Sequence, residues 1–206
     1  SPNLLLGRWD FMNYGGELYD ANLDIPDWAT TGLDYTLWQS AVSVSPGLVL
    51  SADKVEPNRL VTALSAVAMT EPEPGVYRVD FGRNFSGWFE AKLKGPPGQR
   101  IDLELSEREE VAMTHRMHSA YVIGPTGVGT FRNRFNYGTA RWVTIRGLKQ
   151  PPALADVRGW LVRNDFARAS SFECSSPLLN DIAATTLWTL ENLSLGGYLV
   201  DCPQRE

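Results

Sequence analysis

The chain has 206 residues, 43% of them hydrophobic, and a formal net charge of −5, which is enough apolar material for the core of one large domain or two small ones. An acidic balance without any run of Lys or Arg excludes a nucleic-acid backbone as partner, and no apolar stretch approaches the ~20 residues of a membrane-crossing helix. Two cysteines, Cys174 and Cys202, are too few for a disulfide-built scaffold, and no C-x-x-C or Cys/His spacing is present. Neither a metal nor a cofactor is expected.

From Leu4 to Val44 the residues are irregular and aromatic, with the turn Tyr14-Gly15-Gly16-Glu17 and the loop signals Pro26-Asp27-Trp28 and Thr31-Gly32-Leu33-Asp34. This reads as the end of a preceding β-domain, residues 1–45. Short strand signals follow at Leu60–Leu64 and Ala66–Thr70, and the turn Glu71–Gly75 separates them from the next. In Val76–Phe81 apolar Tyr77, Val79 and Phe81 alternate with Val76, Arg78 and Asp80, the period of a half-buried strand. Gly87–Lys94 and Arg100–Leu105 repeat it, and three such segments in succession favour an antiparallel sheet. Tyr121–Ile123, Gly129–Phe131, Ala140–Ile145 and Val157–Val162 add further short strands, so residues 46–165 read as a β-sandwich.

The pattern changes at Ser175-Ser176-Pro177, where a candidate N-cap serine and a first-turn proline open a helix. Leu178, Ile182, Thr185, Leu187, Trp188 and Leu190 give it an apolar face until Gly196-Gly197 ends the run. Such a helix either lies on the sandwich or begins another domain, residues 166–206; without a partner it would expose an apolar patch around Leu187, Trp188 and Leu190.

After the helix, Asp201-Cys202-Pro203-Gln204-Arg205-Glu206 places two carboxylates, a guanidinium and an amide on a proline-stiffened loop. Glycoside hydrolysis needs one carboxylic acid to protonate the departing oxygen and a second carboxylate across the ring, so this loop can supply half of that machinery. The same composition also suits a solvated loop with an internal Arg205–carboxylate contact.

The hexapeptide resembles the signature that opens the active site of the bacterial α-L-rhamnosidases of glycoside hydrolase family 78. Phe172–Asn180 resembles the approach to that family's helical domain, Asp80–Trp88 its strand and turn in the preceding β-domain, and Gly16–Ala21 and Phe135–Val143 further family motifs. The resemblance implies a mostly β chain: an antiparallel β-sandwich of jelly-roll, concanavalin-like type, preceded by a partial β-domain and followed by a helix that begins an (α/α)6 barrel. It implies Glu206 as the general acid, Asp201 binding rhamnose hydroxyls, Arg205 in or beside the same pocket, and inversion of anomeric configuration through a second glutamate far downstream. The expected partners are a rhamnose-containing glycoside and the rest of the catalytic domain, and the 206 residues alone are expected to be inactive. The compartment is left unassigned.

His115 and His118 in Met113–His118 could share a helical face as metal ligands, but no carboxylate or cysteine completes a set nearby, so a polar loop is the expected reading. Glu107, Glu109 and Glu110 read as a solvated edge, and the glycine-rich Gly124–Gly129, which lacks a phosphate-loop lysine, as a hairpin. The competing function is a carbohydrate-binding or scaffolding sandwich without chemistry of its own, and a third reading keeps the enzyme class with another sugar.

Overall fold

The computed structural model describes residues 3–6, 14–36, 38–111 and 113–200. Ten strands join in one sheet: β1 (Asn3–Leu6), β2 (Gly16–Asp20), β3 (Asn58–Ser65), β4 (Ala68–Glu73), β5 (Val76–Lys94), β6 (Arg100–Ser106), β7 (His118–Val122), β8 (Val128–Arg132), β9 (Gly138–Arg146) and β10 (Val157–Asn164). Helix α1 (Pro177–Asn192), a small hairpin of β11 (Ser194–Leu195) with β12 (Tyr198–Leu199), and two single turns of 3-10 helix at Ala21–Leu23 and Leu154–Asp156 complete the described elements. The mostly β architecture with one C-terminal helix is the one expected from the alternating patterns.

The main path of the sheet runs β1-β2-β7-β6-β9-β5-β10-β3, with β4 and β8 also paired to β5. Every pairing is antiparallel except β2 with β7. The sheet curls at β5, which carries 19 residues through a register shift between Asp80 and Phe85. Before the shift β5 lies between β4 and β9; beyond it the β9 ladder continues as far as Gly87, from which β5 pairs with β10 and then β8. Gly82 supplies the left-handed backbone that the bend requires (φ 76°), and its amide donates to the Asp80 carboxylate at 2.7 Å. The curl brings strands that are not ladder neighbours face to face, so that Tyr121 of β7 meets Phe131 of β8 at 6.5 Å between ring centres; within β5 itself, Phe81 packs edge-on against both Phe85 and Phe89 across the bend. One core results, with Val79, Phe89, Leu93, Ile101, Leu103 and Ile145 almost completely buried.

Several sequence expectations change here. Val76–Phe81 and Gly87–Lys94 are one strand, because the non-alternating bend keeps its ladder to β9 on both sides of the shift. The third segment, β6, joins the same sheet antiparallel, as expected, through β7 and β9. Gly124–Gly129 is not a hairpin: β7 pairs with β6 and β2 while β8 pairs with β5, so a largely exposed connection joins strands that are not ladder partners. His118 opens β7 and His115 sits at a left-handed turn (φ 48°), its ring edge-on to Tyr14, so the two histidines share no helical face. The leading strands β1 and β2 belong to the same sheet as the rest.

The parallel edge is fastened by Glu17 of β2, 1% exposed. Its carboxylate accepts the backbone N–H groups of Arg134 (2.9 and 3.1 Å), Phe135 (3.1 Å) and Asn136 (3.2 Å), and the Asn133 side-chain amide at 3.2 Å. A buried carboxylate is tolerated because these donors replace its water.

Candidate active site

Asp201, Arg205 and Glu206, together with Cys202, lie outside the described residues. The stretch that precedes them is described as far as Val200. It starts at α1, whose first turn holds Pro177 where the missing N–H costs nothing. Ser176 is the N-cap, yet its side chain makes no capping bond; Asn180 instead bridges the Cys174 N–H (2.9 Å) and carbonyl (2.8 Å), tying the approach loop to the helix.

The other end of α1 is seated on the sandwich at the β5 bend. The Trp188 indole N–H donates to the Asn84 carbonyl at 2.8 Å, and the Arg83 guanidinium lies 3.6 Å from the Trp188 ring centre. The Ser86 N–H donates to Asn192 Oδ1, and Asn192 Nδ2 returns to the Trp188 carbonyl at 2.7 Å. Glu191, 4% exposed, accepts Arg168 Nε (3.2 Å) and Nη2 (3.0 Å) and lies 3.5 Å from Arg163 Nη2. Trp188 therefore packs against the core rather than forming part of a bare patch. Leu190 is exposed as expected, at 39%, but the most exposed apolar side chains of α1 are at its start, where Leu178, Leu179 and Ile182 are 68%, 50% and 52% exposed.

The helix ends at Asn192, before Gly196-Gly197, because those glycines turn the β11–β12 hairpin instead. Both have positive φ (59° and 84°), the geometry of a two-residue hairpin turn. The Gly196 N–H donates to Asn58 Oδ1 and the Gly197 N–H to Asn164 Oδ1, each at 3.0 Å. The Val200 N–H closes back onto the Leu193 carbonyl at 2.8 Å. Beside this hairpin is a cavity of about 690 Å³ lined by Asn58, Tyr137, Leu195, Tyr198 and Val200. Val200, the last described residue before the acidic hexapeptide, is part of this lining.

Asp80 and Arg141 brace the same bend. Arg141 Nε and Nη2 reach the two carboxylate oxygens at 2.8 and 2.9 Å, a bidentate pair that holds the Asp80 carboxyl below its ordinary range against the opposing effect of partial burial. Among the described residues no group of three His, Cys, Asp or Glu is placed to hold a metal. The fastening residues Asn58, Asn164, Glu191 and Asn192 were not singled out from sequence. Only the motif Asp80–Trp88 pointed to their neighbourhood.

Residues 70–163 match the bacterial alpha-L-rhamnosidase concanavalin-like domain, and residues 167–206 match the bacterial alpha-L-rhamnosidase six-hairpin glycosidase domain. The chain belongs to the bacterial α-L-rhamnosidase family. Its matches run through most of its length: an alpha-L-rhamnosidase of Formosa agariphila is 26% identical over 211 residues, 94% of this chain and 22% of the relative, and one of Streptomyces avermitilis is 27% identical over 185 residues, 84% and 18%. The structure of the alpha-L-rhamnosidase from Dictyoglumus thermophilum superposes with a TM-score of 0.84 at 29% identity, covering 94% of this chain and 23% of that one. The Streptomyces avermitilis alpha-L-rhamnosidase complexed with L-rhamnose gives 0.80 at 25% identity, covering 93% and 19%. The chain thus spans about a fifth of the length of these rhamnosidases.

Proposed function

We propose that these residues are the β-sandwich and acid-loop portion of an exo-acting, inverting α-L-rhamnosidase. In this reading residues 46–165, with the two leading strands from 1–45, form the support, and residues 166–206 begin the helical catalytic domain. Glu206 gives its proton to the glycosidic oxygen as the bond from the anomeric carbon breaks. Water adds to that carbon from the opposite face and yields its proton to a second carboxylate, contributed by the length of the relatives that this chain does not span. Asp201 accepts hydrogen bonds from rhamnose hydroxyls, and Arg205 lies beside them. The observation that carries the reading is the match of residues 167–206 to the glycosidase domain, which runs through all six residues of the acidic loop.

An inverting pair stands roughly 6.5–9.5 Å apart to admit the water, so one carboxyl group cannot do the work of two. The isolated 206 residues are therefore expected to release no rhamnose from an aryl rhamnoside. In the full-length enzyme Glu206→Gln should lower kcat at least about a hundredfold with the fold retained, since general acid catalysis contributes 10²–10⁴-fold. Unchanged kcat would reject the assignment. Proton NMR of the first-formed sugar, read before mutarotation, tests inversion.

A second reading, a saccharide-binding sandwich without chemistry, is favoured by one feature: a cleft of about 540 Å³ lined by Tyr19, Trp88, Glu90, Arg132 and Arg134, which sets the half-buried Trp88 ring among polar groups. Saturable binding of rhamnose by the isolated chain, abolished by Trp88→Ala, would support it.

A further inference from the structure

Asn58 is the first residue of β3 and Asn164 the last of β10, and the two are directly paired across the ladder. Their side-chain oxygens receive successive backbone amides, Gly196 and Gly197, of the hairpin turn that precedes the acidic loop. Asn164 is 5% exposed and has its Nδ2 committed to the Glu56 carbonyl at 2.7 Å, so its oxygen cannot swing away without leaving a buried donor unpaired. Gly197 also rests on Val55, where a Cβ would come within 2.9 Å of the valine side chain. From Gly197 only Tyr198, Leu199 and Val200 intervene before Asp201, and the Val200 amide is tied back to Leu193.

We propose that Asn58 and Asn164 are positioning residues for the acidic loop: they clamp the Gly196-Gly197 turn to the end of the β3–β10 ladder and so set where the proton donor stands relative to the departing oxygen. The inference rests on the reading of Glu206 as general acid. It gives the sandwich a part in catalysis through placement alone, for neither asparagine needs to touch the sugar. Proton transfer demands hydrogen-bond reach, and displacement of a reacting group by about 1 Å costs on the order of a hundredfold in rate.

Leaving-group dependence separates placement of an acid from general damage. A phenyl rhamnoside needs its departing oxygen protonated, whereas 2,4-dinitrophenolate leaves nearly unaided. In the full-length enzyme, Asn164→Leu and Asn58→Ala should lower kcat on phenyl α-L-rhamnoside by about ten- to a hundredfold while changing kcat on the dinitrophenyl substrate by less than about threefold. Asn58→Asp, which keeps the accepting oxygen, should recover most of the loss seen with Asn58→Ala. Equal losses on both substrates, or no loss on either, would overturn the inference. Asn58→Ala decides the matter if the buried Asn164→Leu substitution prevents folding. Glu206→Gln serves as the reference: selective loss there with none in the asparagine variants rejects the clamp alone, and absence of selective loss in Glu206→Gln rejects the acid assignment itself.

Discussion

Replacing Glu17 by Gln or Ala tests whether the parallel edge of the sheet depends on a single buried carboxylate. Oε1 accepts from the Asn133 side chain and from the amides of Arg134, Phe135 and Asn136, while Oε2 shares the Arg134 amide. A Gln that keeps its carbonyl oxygen at the Oε1 position retains four of these contacts as neutral acceptors. Hydrogen bonds to charged groups contribute roughly 1.5–3 kcal/mol against 0.5–1.5 for neutral ones, and the carboxylate's own desolvation offsets part of that difference, so Glu17→Gln should cost about 1–2 kcal/mol. Glu17→Ala strands all the donors, but Arg134 and Phe135 are exposed enough for water to reach their amides, which limits the loss to about 3–4 kcal/mol. Equilibrium urea denaturation with an unchanged m-value measures both. A Gln variant within 0.3 kcal/mol of the parent, together with an Ala variant within 1 kcal/mol, would mean that the ladder between β2 and β7 holds this edge without the carboxylate.

Asp80 gives a pH dependence of known sign. Arg141 depresses its carboxyl pKa in the folded state, so the stabilisation is present above the unfolded value near 4 and lost as the pH falls through the folded one. Asp80→Asn should flatten the acid limb of stability measured by urea midpoints between pH 2.5 and 6; an unchanged limb refutes the pairing. Gly87→Ala places a methyl group on the Trp160 carbonyl and against the Val162 nitrogen, inside the β5–β10 ladder, and should cost about 3 kcal/mol or more in thermal or urea unfolding. Trp188→Phe removes the bond to the Asn84 carbonyl and should speed amide exchange in the second half of α1 several-fold, leaving the core strands unchanged.

The strands were legible because each buries one face: Tyr77, Val79 and Phe81 are buried while Arg78 and Asp80 are not fully so, and the alternation records it. The helix start was legible because Pro177 fits only a first turn. The unity of β5 was not, since the bend from Gly82 to Ser86 does not follow the alternation and its continuity is expressed only in backbone pairing with β9. The parallel partnership of β2 with β7 was equally hidden, as its members are about a hundred residues apart and local periodicity carries no information about partners. The acid loop was recognised by resemblance, and its fastenings escaped because a side chain accepting from a backbone amide 138 residues away leaves no local pattern.

The motifs read separately from the sequence are physically joined. Glu17 of Gly16–Ala21, the first motif in chain order, holds the backbone of Phe135 and Asn136 in the third, Phe135–Val143, and Arg141 of the third grips Asp80 of the second, Asp80–Trp88. Asn84 and Ser86 of the second then receive Trp188 and Asn192 of α1, whose hairpin runs directly into the acidic hexapeptide. Apart from the exposed Trp188–Asn84 bond, each joint uses a polar side chain or a backbone group at least partly withdrawn from water, where an unpaired partner is costly, so the joints favour a single relative arrangement over a sliding contact. The sandwich therefore acts as a reference frame: it is rigid through its apolar core and transmits that rigidity to the base of the acidic loop through a few directional bonds. This accounts for why residues with no sugar chemistry of their own, such as Asp80 and Glu17, lie within motifs that resemble those of a glycosidase family.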